Sequence, residues 1–306
     1  MKVMGIVAEY NPLHNGHLYH INKAKQETGA SAVIVALSGD YVQRGELAAT
    51  NKWGRAESAI KNGIDAVFEI PTYACLGNAS VYASTAIKLL AATGVVDVIS
   101  FGSESGSLKE LTEVACNLCD EKLPKHITEL SREGYSYPRA RALAYETLFG
   151  PKANDILSRP NDTLAIEYIK AHSQLRESGI VLHTVKRQSS GYSSSFDKSM
   201  RFQSASGLRQ AIKDGFDVSG FLPEESLQSL TSSSFADIPR IEENLFNLIR
   251  YAVINLSPEE IDEFPQGGEG IGAKLIDAVS KVKSLDELIM AAKSKRYTYT
   301  RISRLL

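Results

Sequence analysis

"VMGIVAEYNPLHNGHLYHI", residues 3–21, contains the feature that decides the fold. It begins with a continuous apolar run (3–8), passes an Asn-Pro turn signal, and reaches an H-N-G-H string (14–17) just before a helical pattern. A continuous apolar run is typical of a strand that is buried on both faces of a parallel sheet. The segment therefore predicts a first strand whose carboxyl end leads through a short loop into a helix.

Four further apolar runs, rich in β-branched residues, alternate with helical patterns along the chain. This alternation is typical of an α/β fold, in which right-handed crossovers make the strands parallel. We therefore predict a doubly wound, Rossmann-like parallel sheet. The further strands are predicted at "SAVIVAL" (31–37), "IDAVFEI" (64–70), "VDVISF" (96–101) and "IVLHTV" (180–185).

The remaining patterns predict how the chain is divided. Residues from about 107 to 178 hold several helical patterns, which indicates a helical insertion before the last strand. A polar, Ser-rich stretch (186–212) predicts a loop. Only helical patterns follow Gly220. We therefore expect a nucleotide-binding domain of residues 1–220 and a smaller α-helical domain of residues 221–306.

Composition excludes several classes of protein. The chain has 306 residues, of which 43% are hydrophobic and 23% charged, as in globular proteins with a sizeable core. Its formal net charge of −2 gives no global attraction to nucleic acid or membrane, so an RNA contact needs a local patch. No apolar run approaches the roughly 18–20 residues of a membrane span. The odd number of cysteines, three, argues against a disulfide framework and for a reducing, cytoplasmic environment.

The H-N-G-H string lies where open α/β sheets bind ligands, at the carboxyl end of a strand. Gly16 lets a ligand approach the backbone, and the free N–H groups and dipole of a helix N-terminus favour an anion. The imidazoles of His14 and His17 can donate hydrogen bonds to an α-phosphate and stabilise its charge as it becomes five-coordinate. We therefore predict a phosphate site with His14 and His17 as catalytic residues. The alternative is a packed turn with surface histidines.

A second stretch, "SASGLRQAI" (204–212), supports a nucleotide site. It places small hydroxyl residues ahead of an arginine at a predicted helix start. Ser204, Ser206 and the free amides there can hold the outer phosphates of ATP, and Arg209 can neutralise their charge. Serine is also a frequent helix N-cap, so a plain N-cap is the alternative for Ser204.

These two elements together resemble the nucleotidyltransferase superfamily, with its H-x-G-H motif and a later motif of serine and arginine. Longer strings narrow the resemblance to the bacterial tRNA(Met) cytidine acetate ligase family, and the similarity spans the entire chain. The strings are "GIVAEYNPLHNGHLYHI" (5–21), "LSGDYVQRGELA" (37–48), "NKWGRAESAIKNGIDAVFEIP" (51–71), "SFGSE" (100–104) and "KRYTYTRISRLL" (295–306).

The resemblance implies a nucleotidyltransferase core that activates acetate with ATP to acetyl-adenylate and then acetylates N4 of the wobble cytidine of elongator tRNA(Met). It implies further nucleotide contacts at Gly102, Asn161 and Arg187; a helix N-cap at Asn161 and a solvated Arg187 are the alternatives. It also implies that family members continue past the position of Leu306, so tRNA binding is incomplete if such a segment is missing. The implied ATP-binding loop consists of Val7, Ala8, Glu9, Tyr10, Asn11, Pro12, Leu13, His14, Asn15, Gly16, His17, Leu18, Tyr19 and His20.

Cations after the second strand suggest further contacts. Arg44 faces the same cleft and can pair with a small carboxylate such as acetate, or with Asp40 or Glu46 in a structural salt bridge. Lys52 and Arg55, one helical turn apart, predict either contacts with phosphate or RNA or a solvated helix face.

The end of the chain is basic and aromatic. Residues 293–306 hold five cations and no acid, with tyrosines interleaved. Cations bind the RNA backbone and tyrosine rings stack on unpaired bases, so the segment predicts an RNA contact, with a solubilising surface as the alternative. The predicted RNA-binding residues are Lys293, Lys295, Arg296, Tyr297, Tyr299, Arg301 and Arg304.

Two other functions are consistent with the residues. The chain could be an adenylyltransferase that acts on a phosphorylated metabolite, or a non-catalytic protein that binds RNA or a nucleotide. Mg²⁺ that bridges the phosphates is expected from ATP chemistry, whereas no spacing of ligands predicts a metal site formed by the protein. The expected partners are elongator tRNA(Met) and acetate, with no membrane and no stable protein partner.

Overall fold

One five-stranded parallel sheet, in the order β3-β2-β1-β4-β5, organises the protein. The chain starts at the centre, adds two strands on one side and then crosses to the other, which confirms the predicted doubly wound α/β fold. The computed structural model describes residues 1–135, 137–175, 179–188, 196, 199, 201–232 and 238–306. The strands are β1 (Val3–Ala8), β2 (Ala32–Ser38), β3 (Ala66–Ile70), β4 (Val98–Ser103) and β5 (Val181–Lys186).

Helices cover both faces of the sheet and form the C-terminal region. A helical insertion separates β4 from β5, as predicted. In chain order the helices are α1 (Asn15–Thr28), α2 (Lys52–Lys61), α3 (Thr72–Cys75), α4 (Ala79–Ala92), α5 (Leu108–Asn117), α6 (Lys122–Arg132), α7 (Tyr137–Phe149), α8 (Lys152–Ser158), α9 (Pro160–Ser173), α10 (Ala205–Lys213), α11 (Glu224–Ser232), α12 (Ile238–Asn255), α13 (Pro258–Glu263), α14 (Ile271–Val279), α15 (Leu285–Ala292) and α16 (Tyr299–Leu305).

The continuous apolar strands are explained by burial on both faces. Along β2, Val33 and Val35 face a core that is shared with α1 and α2, whereas Ile34 and Ala36 face a second core that is shared with α4 and α9. Successive side chains of a strand point to opposite faces, so both sets must be apolar. Because the strands are parallel, the carboxyl ends of β1, β2, β4 and β5 lie along one edge of the sheet, where the loops that follow them meet.

Two predictions of chain organisation need comment. The predicted loop of residues 186–212 is too long, because α10 begins at Ala205; residues 189–195, 197, 198 and 200 lie outside the described residues. The predicted domain boundary at residue 220 remains a prediction. Apolar packing crosses it, since Leu222 and Leu230 share a cluster with Leu208. The separate helical core begins with α12 and extends through α16.

Within the described part of the chain, no helix is both long enough and apolar enough to span a bilayer.

Candidate functional site

The loop between β1 and α1 holds its two histidines through the backbone of the helix start. His14 is the N-cap of α1, and its Nδ1 accepts a hydrogen bond from the amide of Gly16 at 3.1 Å. His17 Nδ1 in turn accepts from the amide of His14 at 3.2 Å. The two rings stack, with centroids 3.7 Å apart and an interplanar angle of 23°. The helix terminus thus fixes both imidazoles in a capping-box arrangement.

These hydrogen bonds determine which nitrogen of each ring carries the proton. Since Nδ1 accepts in His14 and in His17, the neutral form of each ring has its hydrogen on Nε2. Two Nε2–H groups therefore remain as donors at the N-terminus of α1. Such paired donors suit an oxyanion or a phosphate oxygen.

Burial keeps the two rings neutral. It lowers the pKa of His14 to about 3, and the positive charge of Arg187 acts in the same direction. Burial also lowers the pKa of His17 well below its ordinary value of 6.5, with further contributions from His14 and Arg187. At neutral pH both rings thus act as neutral hydrogen-bond donors.

Gly16 and Tyr10 show how closely the loop is fitted around the rings. A Cβ on Gly16 would lie 2.9 Å from Cε1 of His14, so a side chain there would displace the ring. Tyr10 has a φ of 44°, in the left-handed region, which costs on the order of 1–3 kcal/mol in a residue other than glycine. Its buried ring meets the ring of His17 edge-on at 5.0 Å. Both features are typical of a loop whose conformation serves a site.

Not every residue of the predicted ATP-binding loop can present its side chain to a ligand. Tyr10, Leu13 and His14 are all buried, but Tyr10 and Leu13 pack into the core beneath α1. The Asn11 side chain accepts a hydrogen bond from the Ala49 amide at 2.6 Å. The side chains of Tyr10, Asn11 and Leu13 therefore shape the loop.

Arg187 supplies a cation on the β4–β5 side of the histidines. Its aliphatic stem lies over Gly102, where an added Cβ would come within 3.3 Å of Arg187 Cγ. Burial lowers the pKa of the guanidinium, and Glu104 opposes this shift. Among the described residues no carboxylate forms an ion pair with it within 4.0 Å. Gly102 and Arg187, both predicted nucleotide contacts, therefore lie together: the glycine makes room for the arginine.

Asn161 lies at the start of α9, as predicted, but it is not the N-cap, which is Arg159. Its amide donates to Glu104 Oε1 at 2.6 Å, and the Asp162 amide donates to Glu104 Oε2 at 2.8 Å. The carboxylate of Asp162 accepts from the amide of Glu104 at 2.7 Å. These reciprocal bonds join α9 to the loop after β4, so Asn161 lies beside that loop.

The second predicted element also reaches the first loop. Ser204 is the N-cap of α10 and accepts from the Gly207 amide at 3.1 Å, and its hydroxyl lies 3.2 Å from that of Ser206. The alternative of a plain N-cap is therefore sufficient to explain Ser204. Arg209 donates to the carbonyl of Asn11 at 2.8 Å and lies 3.9 Å from Glu46. The helix start of α10 thus contacts the β1–α1 loop.

A cluster of arginines surrounds Glu9, a residue of the predicted ATP-binding loop. Burial raises the pKa of the Glu9 carboxyl, while the Gln43 amide and the charges of Arg209, Arg44 and Arg55 oppose the shift. Arg44 is exposed and its charge is close enough to influence Glu9, as expected of a residue at this edge.

Arg55 contradicts the prediction of a solvated or RNA-facing pair with Lys52. It is buried, and its guanidinium donates to the carbonyls of Glu9, Ser38, Gly39 and Thr50. Lys52 pairs with Glu69 at 2.7 Å. Arg55 therefore fastens the loops after β1 and β2 together. No pattern in the sequence signals this, because its partners are backbone carbonyls.

The basic segment at the end of the chain is mostly structural, which corrects part of the prediction. Tyr297 is 2% exposed, and its hydroxyl donates to the carbonyl of Gly268, so its ring cannot stack on a base. The guanidinium of Arg301 lies over that ring at 4.7 Å and donates to the carbonyls of Gln266 and Gly267.

Two other residues of the segment, Arg304 and Tyr299, make contacts within the protein, whereas three cations are exposed. Arg304 donates to the carbonyl of Gln43 at 3.4 Å, which brings the last helix onto the loop that carries Arg44. Tyr299 is half-buried and its hydroxyl donates to Asp286 at 2.9 Å, so its contact with RNA remains a prediction. The exposed cations are Lys293, Lys295 and Arg296.

Across the part of the chain that the structure describes, no group of three or more histidine, cysteine, aspartate or glutamate side chains could hold a metal ion.

The comparisons with known proteins agree with this geometry. The family model of the HIGH Nucleotidyl Transferases matches residues 1–306. A tRNA(Met) cytidine acetate ligase of Clostridium novyi is 35% identical over 313 residues, which cover 100% of this chain and 78% of the relative. One of a Thermoanaerobacter species is 37% identical over 312 residues, with 100% and 77% covered.

Solved structures give the same result. The crystal structure of Thermotoga maritima TmcAL bound with alpha-thio ATP matches with a TM-score of 0.85 and 32% identity, and the match covers 100% of this chain and 73% of that one. The apo form of the same protein matches with a TM-score of 0.87, and 74% of it is covered. The chain belongs to the tRNA(Met) cytidine acetate ligase family of HIGH nucleotidyltransferases.

Proposed function

We propose that this protein is an ATP-dependent ligase that activates acetate as acetyl-adenylate and transfers the acetyl group to N4 of the wobble cytidine of elongator tRNA(Met). The observation that carries the proposal is the pair of stacked, neutral imidazoles, each with an Nε2–H donor, at the start of α1. The names of the relatives and the ATP analogue in the matching structure support the choice of substrates.

In the first step an oxygen of acetate attacks the α-phosphate of ATP in line with the leaving pyrophosphate. A new bond forms between the acetate oxygen and phosphorus, and the bond from the α-phosphorus to the bridging oxygen breaks. His14 and His17 stabilise the extra charge on the five-coordinate phosphorus through their Nε2–H groups. Arg187, Ser204, Ser206 and the amides at the start of α10 bind the remaining phosphate charge.

Mg²⁺ enters this scheme bound to the phosphates. The described residues offer no carboxylate cage, and Mg²⁺ commonly keeps several waters and binds through substrate phosphates. When bound, it supplies charge neutralisation on the leaving pyrophosphate. The residues of the chain bind and orient the nucleotide.

In the second step the cytidine amine attacks the acetyl carbonyl. A carbon–nitrogen bond forms, the bond between the acetyl carbon and the AMP oxygen breaks, and the amine loses a proton. We place acetate near Arg44, which is exposed at the same edge and close to Arg209 and Glu9. For the tRNA backbone we propose the exposed cations Lys293, Lys295 and Arg296, and we place the enzyme in the cytoplasm.

The test separates the three candidate functions. Purified protein is incubated with ATP, Mg²⁺ and labelled acetate, with and without methionine tRNA. We expect acetate-dependent exchange of pyrophosphate into ATP, and a mass increase of one acetyl group on the tRNA. Pyrophosphate release that depends on a phosphorylated metabolite instead would favour the small-molecule adenylyltransferase. Binding of nucleotide or RNA without any turnover would favour a non-catalytic protein.

A further inference from the structure

A row of hydrogen-bonded side chains links the inside of α1 to the protein surface. His20 Nε2 lies 3.0 Å from the hydroxyl of Ser100, which lies 3.1 Å from Nδ1 of His183. His183 Nε2 lies 3.1 Å from the Glu27 carboxylate, which also pairs with Lys23 at 3.0 Å. Ser100 is fully buried on β4, directly beside His183 in the register with β5. Four side chains thus form one continuous path.

The direction of every bond along this path follows from its outer end. A carboxylate only accepts, so His183 must carry its proton on Nε2, and Nδ1 of the neutral ring is an acceptor. The hydroxyl of Ser100 then donates to His183 Nδ1, and its oxygen accepts from His20 Nε2–H. His20, when neutral, is left with a bare lone pair on Nδ1.

The bare Nδ1 gives His20 a different hydrogen-bonding role from that of the two catalytic histidines. His14 and His17 present Nε2–H donors, whereas His20 presents an acceptor. His20 follows His17 by three residues on α1, so the two rings lie on the same face of the helix, and the charge of Arg187 helps to lower the pKa of both. Among the described residues Nδ1 of His20 has no hydrogen-bond partner. Nδ1 of His20 is therefore a hydrogen-bond acceptor that lies close to donors and cations.

We propose that Ser100, His183 and Glu27 are positioning residues that hold His20 in the tautomer with a free Nδ1, and that this nitrogen accepts a hydrogen bond from the nucleoside part of ATP. The matching chemistry is a hydroxyl of the ribose or the amino group of the base. The proposal rests on ATP being the substrate. It assigns the phosphates to His14 and His17 and the nucleoside to His20.

The tautomer can be observed directly in the free protein. Long-range ¹⁵N–¹H correlation spectra of histidine-labelled protein distinguish a protonated ring nitrogen from a bare one. We expect His20 to show a protonated Nε2 and a bare Nδ1. Glu27→Gln replaces an obligate acceptor with an amide that can also donate, so His20 should become a mixture of tautomers. Lys23→Gln, which removes only the cation beside Glu27, is the matched control and should leave the spectrum unchanged.

Variants at the inner positions test the path itself. His183→Leu leaves Ser100 without an acceptor, whereas His183→Asn returns a side-chain oxygen close to the place of Nδ1. We expect His183→Leu to weaken binding of Mg²⁺–ATP by about tenfold, with His183→Asn restoring most of it, which a purely structural role would not produce. The rate of pyrophosphate exchange at saturating ATP should change little.

Two results would overturn the inference: a wild-type spectrum with the proton of His20 on Nδ1, or ATP affinities of His183→Leu and Glu27→Gln equal to that of the wild type. Both measurements use the full chain without acetate or tRNA. Failure of tRNA acetylation would therefore contradict the proposed function and leave this test intact. Absence of ATP binding in the wild type would contradict both.

Discussion

The start of α1 and the segment of residues 293–306 both contain side chains of types that can bind phosphate or RNA, yet the structure uses them differently. At the start of α1, backbone amides occupy one nitrogen of each imidazole and leave the other to donate. In the C-terminal segment, Arg301 donates to two backbone carbonyls and Arg304 donates to one. A motif that is tied to a strand-to-helix junction therefore predicts where its hydrogen-bond donors point. The composition of a segment does not.

The largest expected effect tests the donors at the start of α1. His14→Asn keeps a good N-cap, since asparagine can accept from the amide of Gly16, but it removes the Nε2–H group. We expect the rate of acetate-dependent pyrophosphate exchange to fall by roughly 10²–10³-fold, as when one oxyanion donor is removed. The free energy of unfolding should change by less than about 1 kcal/mol. Fixed-time assays of pyrophosphate exchange measure the rate, and urea unfolding of the same preparation measures the free energy of unfolding.

His14→Ala is the companion variant. It removes both the cap and the donor, so the same loss of rate should come with an additional loss of about 1 kcal/mol in stability. Wild-type exchange in His14→Asn would show that the ring acts only as a cap. The contrast between the two regions would then disappear.

Much of the first region was predictable because its physics is local. Apolar runs located all five strands, and the H-N-G-H string located the helix start that they lead to. Residues that act through distant backbone were not predictable: Arg55 has the spacing of a solvated helix face, but it lies buried against carbonyls from four separate residues. Ser100 and His183 did leave a signal, as polar residues inside otherwise apolar strands, and the pattern of the two strands could have exposed it.

The second prediction concerns Arg301, which the sequence assigned to RNA. Arg301→Ala removes two charge-assisted hydrogen bonds and a cation–π contact with Tyr297, so we expect a loss of about 2 kcal/mol in the free energy of unfolding. Arg301→Lys keeps the charge but not the planar fork, and should be nearly as destabilising. Urea unfolding measures both. If Arg301→Lys restored stability while Arg301→Ala lost tRNA affinity, the arginine would belong to the RNA surface after all.

The third prediction is a pH dependence of stability that arises at the start of α1. The folded-state pKa of His14 is about 3 and the ordinary value is 6.5, so unfolding takes up a proton between these limits. Above pH 6.5 this group does not change the free energy of unfolding. As the pH falls below 6.5, the group lowers the free energy of unfolding by at most about 1.4 kcal/mol for each pH unit. Glu9 acts in the opposite sense, because burial raises its pKa. Between pH 7 and pH 5, the free energy of urea unfolding should depend less on pH for His14→Asn than for the wild type. An equal dependence on pH in the two proteins would contradict a buried, neutral ring.

The smallest effect on stability is expected where the basic segment remains exposed. Lys295 and Arg296 have no ion-pair partner within 4.0 Å among the described residues, so K295A/R296A should change the free energy of unfolding by less than about 0.5 kcal/mol. Each cation that contacts a phosphate releases a counterion, so tRNA affinity should fall by roughly tenfold at low salt, with a shallower dependence on salt concentration. K122A/K125A, which removes two exposed lysines on α6, is the charge-matched control and should leave affinity unchanged. Filter binding across a salt series measures the slope. Equal slopes for the double variant and the control would mean that Lys295 and Arg296 do not contact the RNA backbone.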